Sequence, residues 1–138
     1  MTRHLTMTVH SSPRYWLSIV VYDTAAQMRT AARRHRLGGP PAGGADDDAM
    51  GIFQAAPEGT TSQFLGTIRL TEEHLTPEVV IHECVHAALT YTQRLLGVGV
   101  LHLAAWSNGR RVIDNEEALA YSVHGIANSL LTELGMLA

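Results

Sequence analysis

The sequence predicts an α+β domain in which a short sheet is covered by helices. Three observations carry this. Residues 15–22, YWLSIVVY, are aromatic and β-branched and read as a strand, and two shorter extended segments follow at 50–55 and 63–70. Two longer stretches, 76–96 and 115–134, repeat apolar residues at helical spacing. With 138 residues, 46% apolar and 17% charged, the chain holds enough apolar material for one core and too little length for two.

Taken in order, residues 1–13 are polar and lack the apolar stretch of a secretory signal, so they read as a leader outside the fold. After the first strand, Asp23 or Thr24 caps a helix in which Ala25, Met28, Ala32 and Leu37 share a face. Arg29, Arg33, Arg34 and Arg36 crowd its far end, where cations suit the helix dipole, and read as a solvated face. Residues 38–48, GGPPAGGADDD, have no periodicity and many breakers, and read as a flexible loop. Their aspartates lack the alternating ligands and closing glutamate of an EF-hand. The turn-like PEGTTS between the next two strands predicts a hairpin. Thr71 or Thr76 then opens a long helix, with Pro77 in its first turn and a stop at Gly97. Residues 97–113 form a mixed connection, helical around 101–106. The last helix carries Leu119, Val123, Ile126, Leu130 and Leu134 on one face.

Composition excludes several functions. A net charge of −3 argues against a nucleic-acid-coating protein, and no apolar run reaches the roughly 18–20 residues of a membrane span. The single cysteine, Cys84, excludes a disulfide framework within the chain. The expected setting is cytoplasmic. All ten basic residues are Arg, and with the abundant Ala and Gly this bias fits a GC-rich phage or actinobacterial genome.

The long helix contains His82-Glu83-Cys84-Val85-His86, an HExxH sequence. Residues four apart lie one above the other on a helix, so both imidazoles can reach one ion. Glu83 is turned about 100° from His82, close enough to take a proton from water that the ion has acidified. With eight His and eight Glu, a shuffled chain shows this pattern in roughly 3% of cases, so context must carry the weight. The context is a mid-helix position after a strand, with Val80, Cys84, Ala87 and Ala88 leaving the opposite face apolar; Cys84 reads as core.

A catalytic zinc site needs a third ligand. The extended metzincin pattern is excluded, because Leu89 and Thr92 stand where it has Gly and His. VVIHECVHAALTY followed by NEEALAYSVHGIANSLL resembles the gluzincin metallopeptidases, in particular compact zinc peptidases of the ImmA/IrrE type and small phage-encoded relatives. The resemblance covers about residues 64–134. It implies a single minimal zincin-like domain over 1–138, with a short mixed sheet against the HExxH helix and a C-terminal glutamate-bearing helix. It further implies a zinc ion held by His82, His86 and Glu117, with Glu83 as general base in hydrolysis of a peptide or protein substrate. Glu117 is preferred to Glu116 because Ala118 follows it directly. The chain lacks the helix-turn-helix partner domain usual in that family, and its gap from His86 to Glu117 is longer.

A rival third ligand is His102, since HLAAW is similar to the third-histidine region of SprT-type proteases, although Leu103 replaces the expected glycine. A zincin scaffold that binds without turnover is the alternative from another class. Tyr121 and His124, one and two turns beyond Glu117, are candidate donors to the oxyanion or to a ligand. Arg110 and Arg111 are candidates to grip substrate. The strand FLGTIRL is expected to present a free edge along the cleft for an extended peptide. His4, His10, His35 and His74 show no partner spacing.

Overall fold

The structure is a computed structural model that describes residues 1–9, 15–35, 48–57, 63–97, 99, 101, 105–107, 110–113 and 115–137. Elements run in the order β1 (Arg3–Val9), β2 (Tyr15–Tyr22), α1 (Ala25–Arg34), β3 (Ile52–Ala55), β4 (Phe64–Thr71), α2 (Pro77–Leu96), β5 (Ala105–Ser107), β6 (Arg110–Ile113) and α3 (Asn115–Glu133). This is a small α+β fold with a four-stranded mixed sheet and three helices. No helix among the described residues is long and apolar enough to cross a membrane.

The sheet order is β1-β2-β4-β3. β2 and β4 are parallel, while β1 and β3 pair antiparallel on the outside. Residues 3–9, expected to lie in a polar leader, therefore form an edge strand. Their sequence RHLTMTV alternates, and Met7 and Val9 turn inward to the core while the residues between them face out. The predicted hairpin is present as β3 and β4; most of its turn lies outside the described residues, as does the loop 38–47.

Alternation sends Leu17, Ile19 and Val21 of β2 to one face of the sheet, where Ile68 and Leu70 of β4 join them. Leu65 reaches the same face because Phe64 pairs with Trp16 and Gly66 with Leu17, leaving one residue extra. Gly66 adopts φ +145°, and a Cβ there would lie 2.3 Å from the Gln54 carbonyl oxygen. This face is covered by α2 and α3 through Val80, Cys84, Ala87, Ile126 and Leu130. The opposite face carries a smaller core of Val20, Tyr22 and Ile52 under Met28 and Ala32 of α1.

Local chemistry explains the helix limits. Thr24 caps α1 with a reciprocal capping box: its hydroxyl accepts from the Gln27 N–H, and the Gln27 amide oxygen accepts from the Thr24 N–H. Thr71 caps a short 3-10 turn over 72–74, and Thr76 caps α2, with Pro77 at its first position. Gly97 ends α2 in the left-handed region at φ 67°. Residues 105 and 106, expected in a helical stretch, instead belong to β5, which pairs with β6 in a two-stranded ribbon.

Candidate active site

The exposed face of α2 carries His82 and His86 one turn apart. Their ring centroids are 5.1 Å apart and the ring planes are inclined at 69°. Two imidazoles bound to one tetrahedral zinc through bonds of about 2.0–2.1 Å hold their ring centres about 5 Å apart, so this pair fits a shared ion.

Glu83 points into the space between α2 and β3 and is only 5% exposed. Burial raises its pKa above the ordinary carboxylate value, opposed by His82, His86 and a hydrogen bond from the Phe53 backbone N–H. That N–H points away from β4, because the neighbouring even-numbered positions face it, as Ala56 N–H donating to the Leu65 carbonyl shows. A free amide of the edge strand thus fixes the carboxylate. Gly51 permits the approach: a Cβ at this position would lie 3.0 Å from Cγ and 3.2 Å from Oε2 of Glu83. Sequence reasoning passed over Gly51, because nothing local to residues 50–55 reveals a carboxylate that arrives from a helix thirty positions later.

These side chains border a cleft of about 890 Å³ whose walls are β3, the residues before it, and α2; Met50, Gly51, Phe53, His82, Glu83 and His86 are among its lining. FLGTIRL does not supply its edge. β4 is paired on both sides, and among the described residues the strand with a free edge along the cleft is β3. Sequence ranked β4 as the edge because it directly precedes α2, whereas strand order follows from long-range pairing.

Cys84 lies on the opposite side of α2, fully buried in the apolar core as expected. Burial pushes its thiol up to about 12, with the nearby Glu83 adding to the rise.

The remaining predicted groups are only partly described. Glu116 and Glu117 occupy the first turn of α3, and their side chains are outside the described residues. α3 is tied to α2 by a buried chain in which the Thr92 hydroxyl donates to Ser122 (3.0 Å) and Ser122 donates to the Ala118 carbonyl (2.8 Å). The residue after Glu117 is thereby anchored to α2. Among the described residues, no group of three or more His, Cys, Asp or Glu is placed to hold a metal ion. His102 lies outside the described residues, and Arg110 and Arg111 open β6 with side chains that are likewise outside them. Tyr121 is 70% exposed and His124 is exposed; neither borders the cleft beside Glu83.

Comparison with known proteins finds no matching family model, no similar curated protein and no similar solved structure.

Proposed function

We propose that the chain is a zinc-dependent metallopeptidase of the gluzincin type, built on a minimal zincin-like α+β scaffold. The observation that supports this best is the placement of two exposed imidazoles with a centroid spacing suited to one ion, beside a buried carboxylate in the same cleft. His82 and His86 would hold the ion, and Glu117, by the family resemblance, would complete the set. Zinc bound there would supply Lewis acidity for carbonyl attack by water.

The protein's own groups divide the remaining work. Glu83 receives the proton of the attacking water: burial strengthens its basicity, and the Phe53 N–H fixes its orientation. The outward edge of β3 offers the Phe53 carbonyl and the Ala55 N–H and carbonyl to an extended peptide, the Phe53 N–H being held by Glu83, and such pairing makes little demand on the peptide's side chains.

Metal content and hydrolysis of an unfolded protein substrate, measured together, test the reading. Wild type should bind about one zinc per chain and lose hydrolysis in a chelator. Glu83→Gln should retain the metal while hydrolysis falls by about 10²-fold or more. His86→Ala and Glu117→Ala should lose the metal. Full zinc occupancy in Glu117→Ala would transfer the third ligand to Glu116 or His102. Metal-dependent stability without any cleavage would leave a binding scaffold in place of an enzyme.

A further inference from the structure

The edge strand β3 has a cavity on each side. Ile52, Phe53 and Ala55 border the cleft with Glu83, and they also border a second cavity of about 580 Å³ on the opposite face of the sheet. Arg69, Gln54, Thr67 and His35 contribute its polar lining.

Arg69 is the unusual member. Its side chain lies on the α1 face of β4, and the residue is only 6% exposed. Nε donates to the Gln54 amide oxygen at 2.8 Å, and Nη1 donates to the Tyr22 hydroxyl at 2.5 Å. The Gln54 amide nitrogen passes a further bond to the Ala32 carbonyl at 2.8 Å. All these acceptors are neutral. The ion pairs among the described residues join the N-terminus to Asp23 and Arg3 to Glu72, and no described carboxylate pairs with Arg69. A guanidinium carries five N–H donors and keeps its charge at any pH the fold survives, so it cannot relieve burial by deprotonating. A buried charge is ordinarily matched by an opposite one. Among the described residues no carboxylate matches it, and the charge borders a cavity at the sheet edge.

Successive side chains of a strand point to opposite faces of its sheet. A peptide paired with β3 would therefore send alternate side chains toward the HExxH cleft and toward the Arg69 cavity. We propose that the Arg69 cavity is a specificity pocket that receives a carboxylate, from an acidic side chain or the C-terminus of a peptide paired with β3. This rests on the reading of β3 as the peptide-binding edge of a peptidase. It makes the preferred substrate acidic at a position one residue away from those facing the catalytic cleft.

The test uses two extended peptides that differ only in Glu against Gln at alternate positions. Binding is measured on the wild-type protein in a chelator, where no cleavage confuses the titration. The Glu peptide should bind about tenfold tighter than its Gln counterpart. Arg69→Gln should erase that difference. Because a buried arginine can support the fold, Thr67→Glu provides a second route: it keeps Arg69, places a fixed carboxylate on the cavity wall, and should erase the preference while raising the melting temperature. Equal binding of the two peptides together with equal binding of a C-terminal acid and its amide, or a preference that survives both substitutions, overturns the pocket. An acidic peptide carrying only a free C-terminal carboxylate, compared with its amide, separates the two sources of the anion. Hydrolysis of unfolded substrates without acid preference would sink the pocket alone. Acid-selective, Arg69-dependent binding with no hydrolysis in zinc-loaded protein would sink the peptidase reading alone.

Discussion

Each face of the sheet buries one charged side chain beside the same edge strand, and the two are handled differently. On the α2 side, Glu83 accepts a hydrogen bond from the Phe53 backbone; on the α1 side, Arg69 donates to the side chain of Gln54, the next residue along. Glu83 has the imidazoles of His82 and His86 beside it, which oppose the effect of burial, whereas no described carboxylate pairs with Arg69. Glu83 can escape the cost of burial by taking up a proton, and its pKa rises accordingly. Arg69 has no such escape. The contrast separates a carboxylate suited to exchanging protons from a cation suited only to attracting something negative.

Gly66 offers the strongest way to break both sites at once. A Cβ there would collide with the Gln54 carbonyl oxygen at 2.3 Å and the Phe53 ring at 3.0 Å, and the residue sits at φ +145°. Gly66→Ala should therefore cost about 3 kcal/mol or more in denaturant unfolding. It pushes on the two residues that hold the opposite charges, so binding and hydrolysis should fall together. A variant of near-wild-type stability would show that β3 does not depend on this close approach.

A smaller effect separates the charges. In metal-free protein with a chelator, Glu83→Gln should raise stability by about 1.5 kcal/mol, on the order of 5 °C, because the amide still accepts from Phe53 without burying a charge. The gain must depend on pH. Unfolded Glu83 ionises near 4.5, and the folded carboxyl ionises at higher pH. Between those values the native state holds a proton that the unfolded state has released, so wild-type stability falls as pH rises. The difference between wild type and Glu83→Gln should be slight at pH 4 and grow as pH rises above 4.5. Thermal melts across that range check it, and a constant difference would remove burial as the cause. For Arg69→Gln the same series should be flat.

How much of this was legible depended on range. α2 could be read almost to the residue, because Thr76, Pro77 and Gly97 impose its ends through local backbone chemistry. The HExxH face was legible for the same reason, since helical spacing alone aligns His82 with His86. β1 carried a usable signal in the alternation of Leu5, Met7 and Val9, but the polar residues between them made it look like a leader. Strand order was not legible. Nothing in FLGTIRL distinguishes a central strand from an edge, and the partner of Glu83 is a backbone group thirty residues away. Arg69 had a partial signal: alternation puts it opposite Ile68 and Leu70, on the face that α1 must cover. Its burial follows only from how far α1 and Gln54 extend over that face.

Cys84 supplies the finest test, because it is a buried titratable group on α2 that faces pure core and not the cleft. Its thiol ordinarily ionises near 9.0 and in the fold near 12. Between those values the unfolded chain loses the proton while the native state keeps it, so stability must fall as pH rises from about 8.5 upward. At pH 9.5 the loss attributable to this group is about 0.8 kcal/mol relative to pH 7, since each pKa unit corresponds to about 1.4 kcal/mol. The chain has no lysine, which leaves mainly tyrosines and the N-terminus to titrate alongside it. Subtracting the same melts of Cys84→Ala in a chelator removes those contributions and isolates the thiol. A residual slope of the expected sign would set Cys84 apart from Glu83: both resist ionisation through burial, yet only the carboxyl also borders a cavity where a reactant can reach it. If the slope vanishes and native Cys84 reacts readily with a thiol reagent at pH 8, the core side of α2 is as open as the cleft side, and burial no longer distinguishes the two groups.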